Sequence, residues 1–373
     1  MDKNKKFIAL HGAYFPNNFG DVLILAIQAK WIKEITGKEI VLPFATEIYR
    51  TSLDSSTLRG LESIKKSDKL VYGAGGYFGE PLTNKWKWGY SFLKKHTIPA
   101  EYAMLNKIKY AVIGTGVGPI TNIFTRKEMV RICKNASVLA VRDEESKQYL
   151  VEYGVPKEKI NVTVDVALSL SKNDIPEDSI SKIENMFTKV KGLIYGFHIG
   201  VDMDSLVYGD KARILFDESI KFINENTSVT PVLIVDNNNN EQIKAIKYLK
   251  ENINRECIIY IHENIWDTAA LLEKLDVVLT NKLHVGIVSY ALGTNCISIP
   301  YHPKTTRFYK QINCEELCMP LLDIEQNEIY DLLYRSIEER WRVELNNRRG
   351  EILPKLKASA LLNKKILQDF LTD

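Results

Sequence analysis

Lys282 and His284 stand two residues apart at the head of the stretch TNKLHVGIVSYALGTNCISIPYHPK, which runs from Thr280 to Lys304. These residue types hold anions and move protons. An ammonium group is a point charge for phosphate or carboxylate, and an imidazole titrates near neutral pH. Lys304 closes the same stretch with a second cation. Arg142 adds a planar fork suited to the same anions, placed directly after an apolar run and before Asp143, Glu144 and Glu145. An ion pair with one of those acids is the competing reading of Arg142.

Other positions carry weaker signals. Asn17, Asn18, Gly20 and Asp21 form a loop and helix start whose N–H groups suit a phosphate or sugar hydroxyls, or else a capped helix with Asp21 in its first turn. The glycines from Gly73 to Gly79, Gly75 and Gly76 among them, permit close backbone approach, but the run lacks the Gly-Lys-Ser/Thr of a nucleotide loop. Glu80 follows, as a group to hold an acceptor hydroxyl or as an exposed loop acid. His198 in YGFHIG is kept as an acceptor-side group, against the commoner role of a satisfied structural histidine. His11 and His302 are weaker candidates of the same kind, and His96 and His262 are background. Asp165 reads as a hinge brace. The sequence shows no His, Asp and Glu constellation at metal-ligand spacing, so no metal and no cofactor is expected.

The elements that position these groups follow from periodicity. Val277 to Leu279 is a short buried strand, and Thr280 and Asn281 stop it with residue types that cap helices. Val285, Ile287, Val288, Ala291 and Leu292 then give a helical apolar face, Gly293 ends the helix, and Cys296 to Ile299 is the next strand. Strand, loop and helix alternate along most of the chain. Further strands are read at Phe7 to Leu10, Lys69 to Tyr72, Tyr110 to Ile113, Ser137 to Val141, Ile160 to Val164, Leu193 to His198, Val232 to Val235 and Ile258 to Ile261. The polar stretch Ser171 to Gly192 divides the pattern. The expected organisation is a first domain over 1–170, a linker over 171–192, a second domain over 193–322 and charged C-terminal helices over 323–373.

The 373 residues, 45% hydrophobic, suffice for two cored domains. A formal charge of +3 gives no reason to expect nucleic acid. The five scattered cysteines point to a reducing, cytoplasmic setting, and the short apolar run after the N-terminal lysines is a strand rather than a signal peptide. Asn237 to Asn240 reads as a polar turn. Lys85 to Lys95, with Trp86, Trp88, Tyr90 and Phe92, reads as a packed loop ahead of a surface for sugar or membrane.

The basic-Leu-His triplet at Lys282, followed by an apolar helix, Gly293, a short strand and YHPK, resembles the polysaccharide pyruvyl transferase family. NNFGDVLIL (Asn17 to Leu25), YGAGGYFGE (Tyr72 to Glu80), IGTGVGP (Ile113 to Pro119), VRDEES (Val141 to Ser146) and VDVAL (Val164 to Leu168) fall in that family's order. Family members carry arginine where this chain has Lys282, so the charge is kept and the bidentate fork is lost. The resemblance implies an α/β fold of two Rossmann-like parallel-sheet domains facing across a cleft, GT-B-like, with C-terminal helices, the last of which crosses back to the first domain. It also implies transfer of pyruvate from phosphoenolpyruvate to two hydroxyls of a sugar, making a cyclic ketal and phosphate. His284 would then be the catalytic acid and base. Arg142, Lys282 and Lys304 would hold the donor, and Asn17, Asn18, Gly20, Asp21, Gly75, Gly76, Glu80 and His198 the acceptor. The partner is a sugar acceptor, as a nucleotide sugar, lipid-linked oligosaccharide or polymer; a lipid-linked one brings the protein to the inner face of the membrane. Two other readings remain: a glycosyltransferase using a nucleotide sugar, and a non-catalytic member that binds a phosphorylated metabolite.

Overall fold

Runs of aliphatic and aromatic residues, bounded by glycine and polar residues, condense into two parallel sheets. The structure, a computed structural model, describes residues 7–14, 18–81, 84–236 and 240–373. The chain divides into two compact units. Gly20–Ser169, the first strand and Leu356–Asp373 make one, and Leu170–Lys355 forms the body of the other.

The first unit contains β1 (Phe7–His11), β2 (Glu39–Val41), β3 (Ser67–Tyr72), β4 (Gly75–Phe78), β5 (Tyr110–Val117), β6 (Val138–Val141) and β7 (Ile160–Val162). Their order is β2-β1-β3-β5-β6-β7, and β4 pairs with β5. Neighbours run parallel, with His11 opposite Tyr72. The helix Phe19–Thr36 packs against this sheet closely enough that a side chain at the nearby glycines would push Leu25 or Gln28 aside. A Cβ on Gly12 would stand 2.7 Å from Leu25 Cδ2, and one on Gly73 would stand 2.6 Å from Gln28 Oε1. Buried Gln28 then accepts from Ala74 N at 2.7 Å and donates to the Ile113 carbonyl at 3.2 Å, tying the helix to the ends of two strands.

The second unit contains β8 (Leu193–His198), β9 (Val229–Val235), β10 (Ile258–Ile261), β11 (Val277–Thr280) and β12 (Asn295–Ser298). Their order is β10-β9-β8-β11-β12, again all parallel. In both sheets the chain builds outward from its first strand on one side, then crosses to build on the other. The crossover lies between β1 and β3 in one sheet and between β8 and β11 in the other. At such a point the connections leave in opposite directions, and a crevice opens at the carboxyl ends of the strands.

Three sequence expectations change. Gly75 and Gly76 lie in β4, a strand paired with β5, and not in an open loop; Gly75, at φ +141°, shows why the run is glycine-rich. The segment 171–192 is no free linker: its helix Glu177–Met186 docks on the second unit, where Ser179 Oγ donates to Asp267 Oδ1 at 2.7 Å and Lys182 Nζ to Asp267 Oδ2 at 2.7 Å. The strands β2 and β4 have no counterpart in the sequence reading.

The C-terminal region folds as helices Glu328–Arg335 and Glu339–Thr372. The last residues are fastened within the first unit. Lys69 Nζ donates to the Phe370 carbonyl at 2.6 Å, and fully buried Asn363 donates to the Val164 carbonyl at 3.0 Å while accepting from Thr163 Oγ1 at 2.9 Å.

An aromatic cluster fills the first unit beside the end of β1. His11 Nε2 and His96 Nδ1 lie 2.9 Å apart, the Tyr77 ring stacks on His96 at 4.7 Å, and the Tyr72 hydroxyl donates to the His96 carbonyl at 2.6 Å. Burial pushes His96 down to about 3, helped by Lys95, and pushes His11 well below its ordinary value, helped by His96. Both imidazoles are therefore neutral in the fold, one donating and the other accepting.

Two predictions follow from these contacts. Because the folded histidines bind protons less readily than unfolded ones, stability is full above about pH 6.5 and falls as pH drops toward the folded values. The loss approaches about 1.4 kcal/mol per pH unit for each histidine, and His96→Leu should flatten the urea midpoint against pH over this window. Asn363→Leu, which takes the side-chain donor from the Val164 carbonyl and one of two acceptors from the Thr163 hydroxyl, should cost about 2 kcal/mol by urea unfolding.

Candidate functional site

At the crossover of the second unit the carboxyl ends of β8, β9 and β11 bring four polar side chains onto one carboxylate oxygen or its neighbours. Asp236 follows β9, is almost wholly buried, and receives Lys282 Nζ at 2.6 Å, Gln242 Nε2 at 2.7 Å and His198 Nε2 at 2.9 Å, all on Oδ1. His198 ends β8, and its Nδ1 lies 2.7 Å from the hydroxyl of Thr280 at the end of β11. The same hydroxyl accepts from Lys282 N at 3.1 Å. Across the crossover Asn281 clasps the backbone of Gly200, accepting from its N–H at 2.9 Å and donating to its carbonyl at 3.3 Å. A Cβ on Gly200 would stand 2.8 Å from Gln242 Cγ, so a side chain there would push Gln242 from its place on Asp236.

The electrostatics follow from this geometry. Burial alone would push the Asp236 carboxyl up, but the charges and hydrogen bonds of His198 and Lys282 outweigh it and hold the group well below the usual carboxylate range. Asp236 is thus a fixed anion, and it anchors Lys282. The Lys282 side chain keeps 22% of its surface exposed, and an ammonium has three donors, so the bond to Asp236 leaves it able to meet a further anion.

Lys282 is the residue immediately before the helix Leu283–Leu292, whose start carries no side-chain cap bond. His284 lies in the first turn, half-buried, with Nε2 shielded from solvent. A helix start without a side-chain cap leaves its first N–H groups without intrahelical partners at the positive end of the helix dipole. Lys304 opens the helix Lys304–Gln311 after β12, the neighbour of β11, so it belongs to the same edge of the sheet. Its N–H donates to His302 Nδ1 at 3.3 Å. The arrangement is suited to binding an anion with a histidine alongside.

The remaining expected site residues are either taken up by structural partners at this site or lie elsewhere. His198 has no exposed surface and both ring nitrogens engaged, so it holds Asp236 and Thr280 in place and is not an acceptor-binding group. Arg142 belongs to the first unit, buried between Asp165 Oδ2 at 3.2 Å and Asp143 Oδ2 at 3.6 Å, which is the ion-pair reading with a second acid added. Glu80 is neither exposed nor open to an acceptor. Its carboxylate accepts from Thr121 N at 2.7 Å and Thr121 Oγ1 at 3.0 Å and pairs with Lys85 at 2.9 Å. Burial opposes its ionisation, and Lys85 and Thr121 nevertheless hold its carboxyl below the usual value. Gly20 and Asp21 lie in the first turn of Phe19–Thr36, with Asn18 just before it; Asn17 lies outside the described residues, as do Asn237 to Asn239. Asp236 and Gln242 were missed by the sequence reading. The available signal was an acid directly after an aliphatic strand, the same signal that marked Asp165.

The family pattern for polysaccharide pyruvyl transferase matches residues 18–303, which includes the Lys282–Leu283–His284 triplet. The chain belongs to the polysaccharide pyruvyl transferase family. No curated protein sequence matches it. Among solved structures it is similar to UDP-GlcNAc 2-epimerase from Neisseria meningitidis bound to UDP-GlcNAc, with TM-score 0.65 and 13% identity over 97% of this chain and 99% of that one. HepE of Anabaena in complex with UDP-glucose gives TM-score 0.63 and 13% identity over 98% and 100% of the two chains. UDP-GlcNAc 2-epimerase from Methanocaldococcus jannaschii gives 0.60 and 13% over 89% and 91%. These likenesses establish a GT-B-like fold of two parallel-sheet α/β units with C-terminal helices. Among the described residues no helix is long and apolar enough to cross a membrane.

Removing the shared anion should be far more damaging than removing one of its partners. Asp236→Ala leaves His198 and Lys282 without their acceptor and is expected to cost about 3–5 kcal/mol. Lys282→Met, which leaves Asp236 two donors, should cost clearly less, both read as shifts of the urea midpoint.

Proposed function

We propose that this member of the pyruvyl transferase family moves pyruvate from phosphoenolpyruvate onto two hydroxyls of a sugar, forming a cyclic ketal during polysaccharide synthesis. The observation that carries this reading is the Lys282–Leu283–His284 triplet, which opens a helix at the sheet crossover and lies inside the matched family stretch. Phosphoenolpyruvate presents a phosphate and a carboxylate. Lys282, Lys304 and the uncapped helix start are assigned to these two groups.

The chemistry needs proton transfers more than new functional groups. A proton is added to the methylene carbon as one sugar hydroxyl bonds to the neighbouring carbon and gives up its own proton. The carbon–oxygen bond to phosphate then breaks, the second hydroxyl takes its place and loses its proton, and phosphate leaves with the electron pair. His284 is assigned to these transfers, as acid in one step and base in another. Asp236 and His198 are positioning residues, since they set where Lys282 points. No cofactor or metal is assigned a role.

The acceptor class proposed is a nucleotide-bound sugar, a choice supported by two of the similar solved structures being complexes with UDP-GlcNAc and UDP-glucose. The same likenesses favour one alternative, a glycosyltransferase that uses a nucleotide sugar as donor. Action at the cytoplasmic side fits both readings, because both substrates are made there.

The test is release of inorganic phosphate from phosphoenolpyruvate with UDP-sugars supplied as acceptors. Acceptor-dependent release is expected, with kcat lowered about 10²–10⁴-fold in His284→Ala and a raised KM for phosphoenolpyruvate in Lys282→Ala. Calorimetry showing no binding of phosphoenolpyruvate, together with glycosyl transfer from a UDP-sugar, would establish the alternative. Binding of phosphoenolpyruvate with no turnover would mark a non-catalytic member.

A further inference from the structure

The helix Lys85–Phe92 sorts its aromatic residues onto two faces. Phe92 is buried, and half-buried Trp88 packs on it at 5.5 Å between ring centroids. Trp86 and Tyr90 point the other way, with 81% and 61% of their surface exposed. Lys94, four residues on, carries its ammonium 4.4 Å from the Tyr90 ring, so Trp86, Tyr90 and Lys94 make one stripe at successive turns.

A second helix, Ile123–Asn135, packs beside it. Its first two residues, Ile123 and Phe124, are 49% and 69% exposed. The two helices touch at Gly89, where an added Cβ would stand 2.8 Å from Thr125 Oγ1. Gly89 lies within one turn of Trp86 and Tyr90, and Thr125 directly follows Phe124. Four large apolar side chains therefore gather around one helix contact.

Exposed lysines border this face: Lys87 from the first helix, Lys94 and Lys95 from the helical segment Leu93–Thr97 that continues it, and Lys127 from the second. The nearby acids do little to cancel them. Glu80 is buried against Lys85, Glu128 is paired with Arg131 at 2.7 Å, and Glu101 is exposed farther along the helical run. Single exposed apolar residues need no explanation, but a cluster bordered by one sign of charge marks an interaction surface.

We propose that this face of the first unit docks on an anionic lipid surface, with Trp86, Tyr90, Ile123 and Phe124 entering the headgroup layer and the lysines against lipid phosphates. Tryptophan and tyrosine suit that boundary because each pairs an apolar ring with a polar atom. Lysines extend to it on apolar stems. Exposed cations flanking rings match a sheet of phosphates in charge, and the attraction weakens with salt. The proposal uses no residue assigned to phosphoenolpyruvate and stands apart from the pyruvyl transfer reading.

Flotation of the full chain with vesicles tests it. Co-flotation with phosphatidylglycerol-rich vesicles at low salt is expected, with little recovery on phosphatidylcholine alone. Trp86→Ser/Tyr90→Ser/Phe124→Ser and, separately, Lys87→Glu/Lys94→Glu should each lower the bound fraction about tenfold. An unchanged thermal midpoint confirms that these exposed substitutions leave the fold intact. Equal recovery on both vesicle types, no flotation at low salt, or undiminished binding by both variants would overturn the proposal.

Discussion

The second unit is organised around a carboxylate that cannot stand alone. Asp236 is buried where an isolated charge would be prohibitive, and three donors, from the end of β8 and from the regions after β9 and after β11, converge on a single oxygen to keep it ionised. Each donor is in turn fixed by the charge. His198 is held in one orientation between Asp236 and Thr280, Gln242 is drawn into the space left by Gly200, and Lys282 is held at the start of its helix. A flexible ammonium thereby becomes a placed one.

Parallel topology supplies the location. Strands that run the same way deliver all their carboxyl ends, and the starts of the following helices, to one edge. The reversal of strand order between β8 and β11 leaves room there for a ligand, while the Asn281–Gly200 clasp keeps the two strand exits together. The first unit repeats the crossover between β1 and β3, but its interior chemistry differs. His11 and His96 meet as neutral rings among tyrosines, and the charged groups Glu80 and Arg142 are enclosed by partners of their own unit.

Much of this was legible in the residues. The long aliphatic strands and the apolar face of the helix bearing His284 follow from period, but the start of that helix does not follow from capping: the Thr280 and Asn281 side chains engage His198 and Gly200, and the helix begins after Lys282 without a side-chain cap. The strand β2 escaped notice because three residues carry no period, and β4 because Gly-Gly-Tyr-Phe reads as a loop until β5 is beside it. Site residues divided the same way. Lys282 and His284, proposed for the donor, were picked out by their position after a strand, where the structure places them. Glu80, Arg142 and His198 look available in the sequence because Thr121, Asp165 and Asp236, which occupy them, are distant in the chain. Asp236 resembles any acid after a strand, and only the neighbouring of β8, β9 and β11 gives it three donors.

The central claim is that the donor's anionic groups meet Lys282 at the helix start beside Asp236. A crystal structure of the full chain with phosphoenolpyruvate bound tests it most directly. Phosphate or carboxylate oxygens within hydrogen-bond distance of Lys282 Nζ and of the first N–H groups of Leu283–Leu292, with the bond to Asp236 intact, are expected. Phosphoenolpyruvate bound away from this sheet edge, with Lys282 making no contact to it, would contradict the claim.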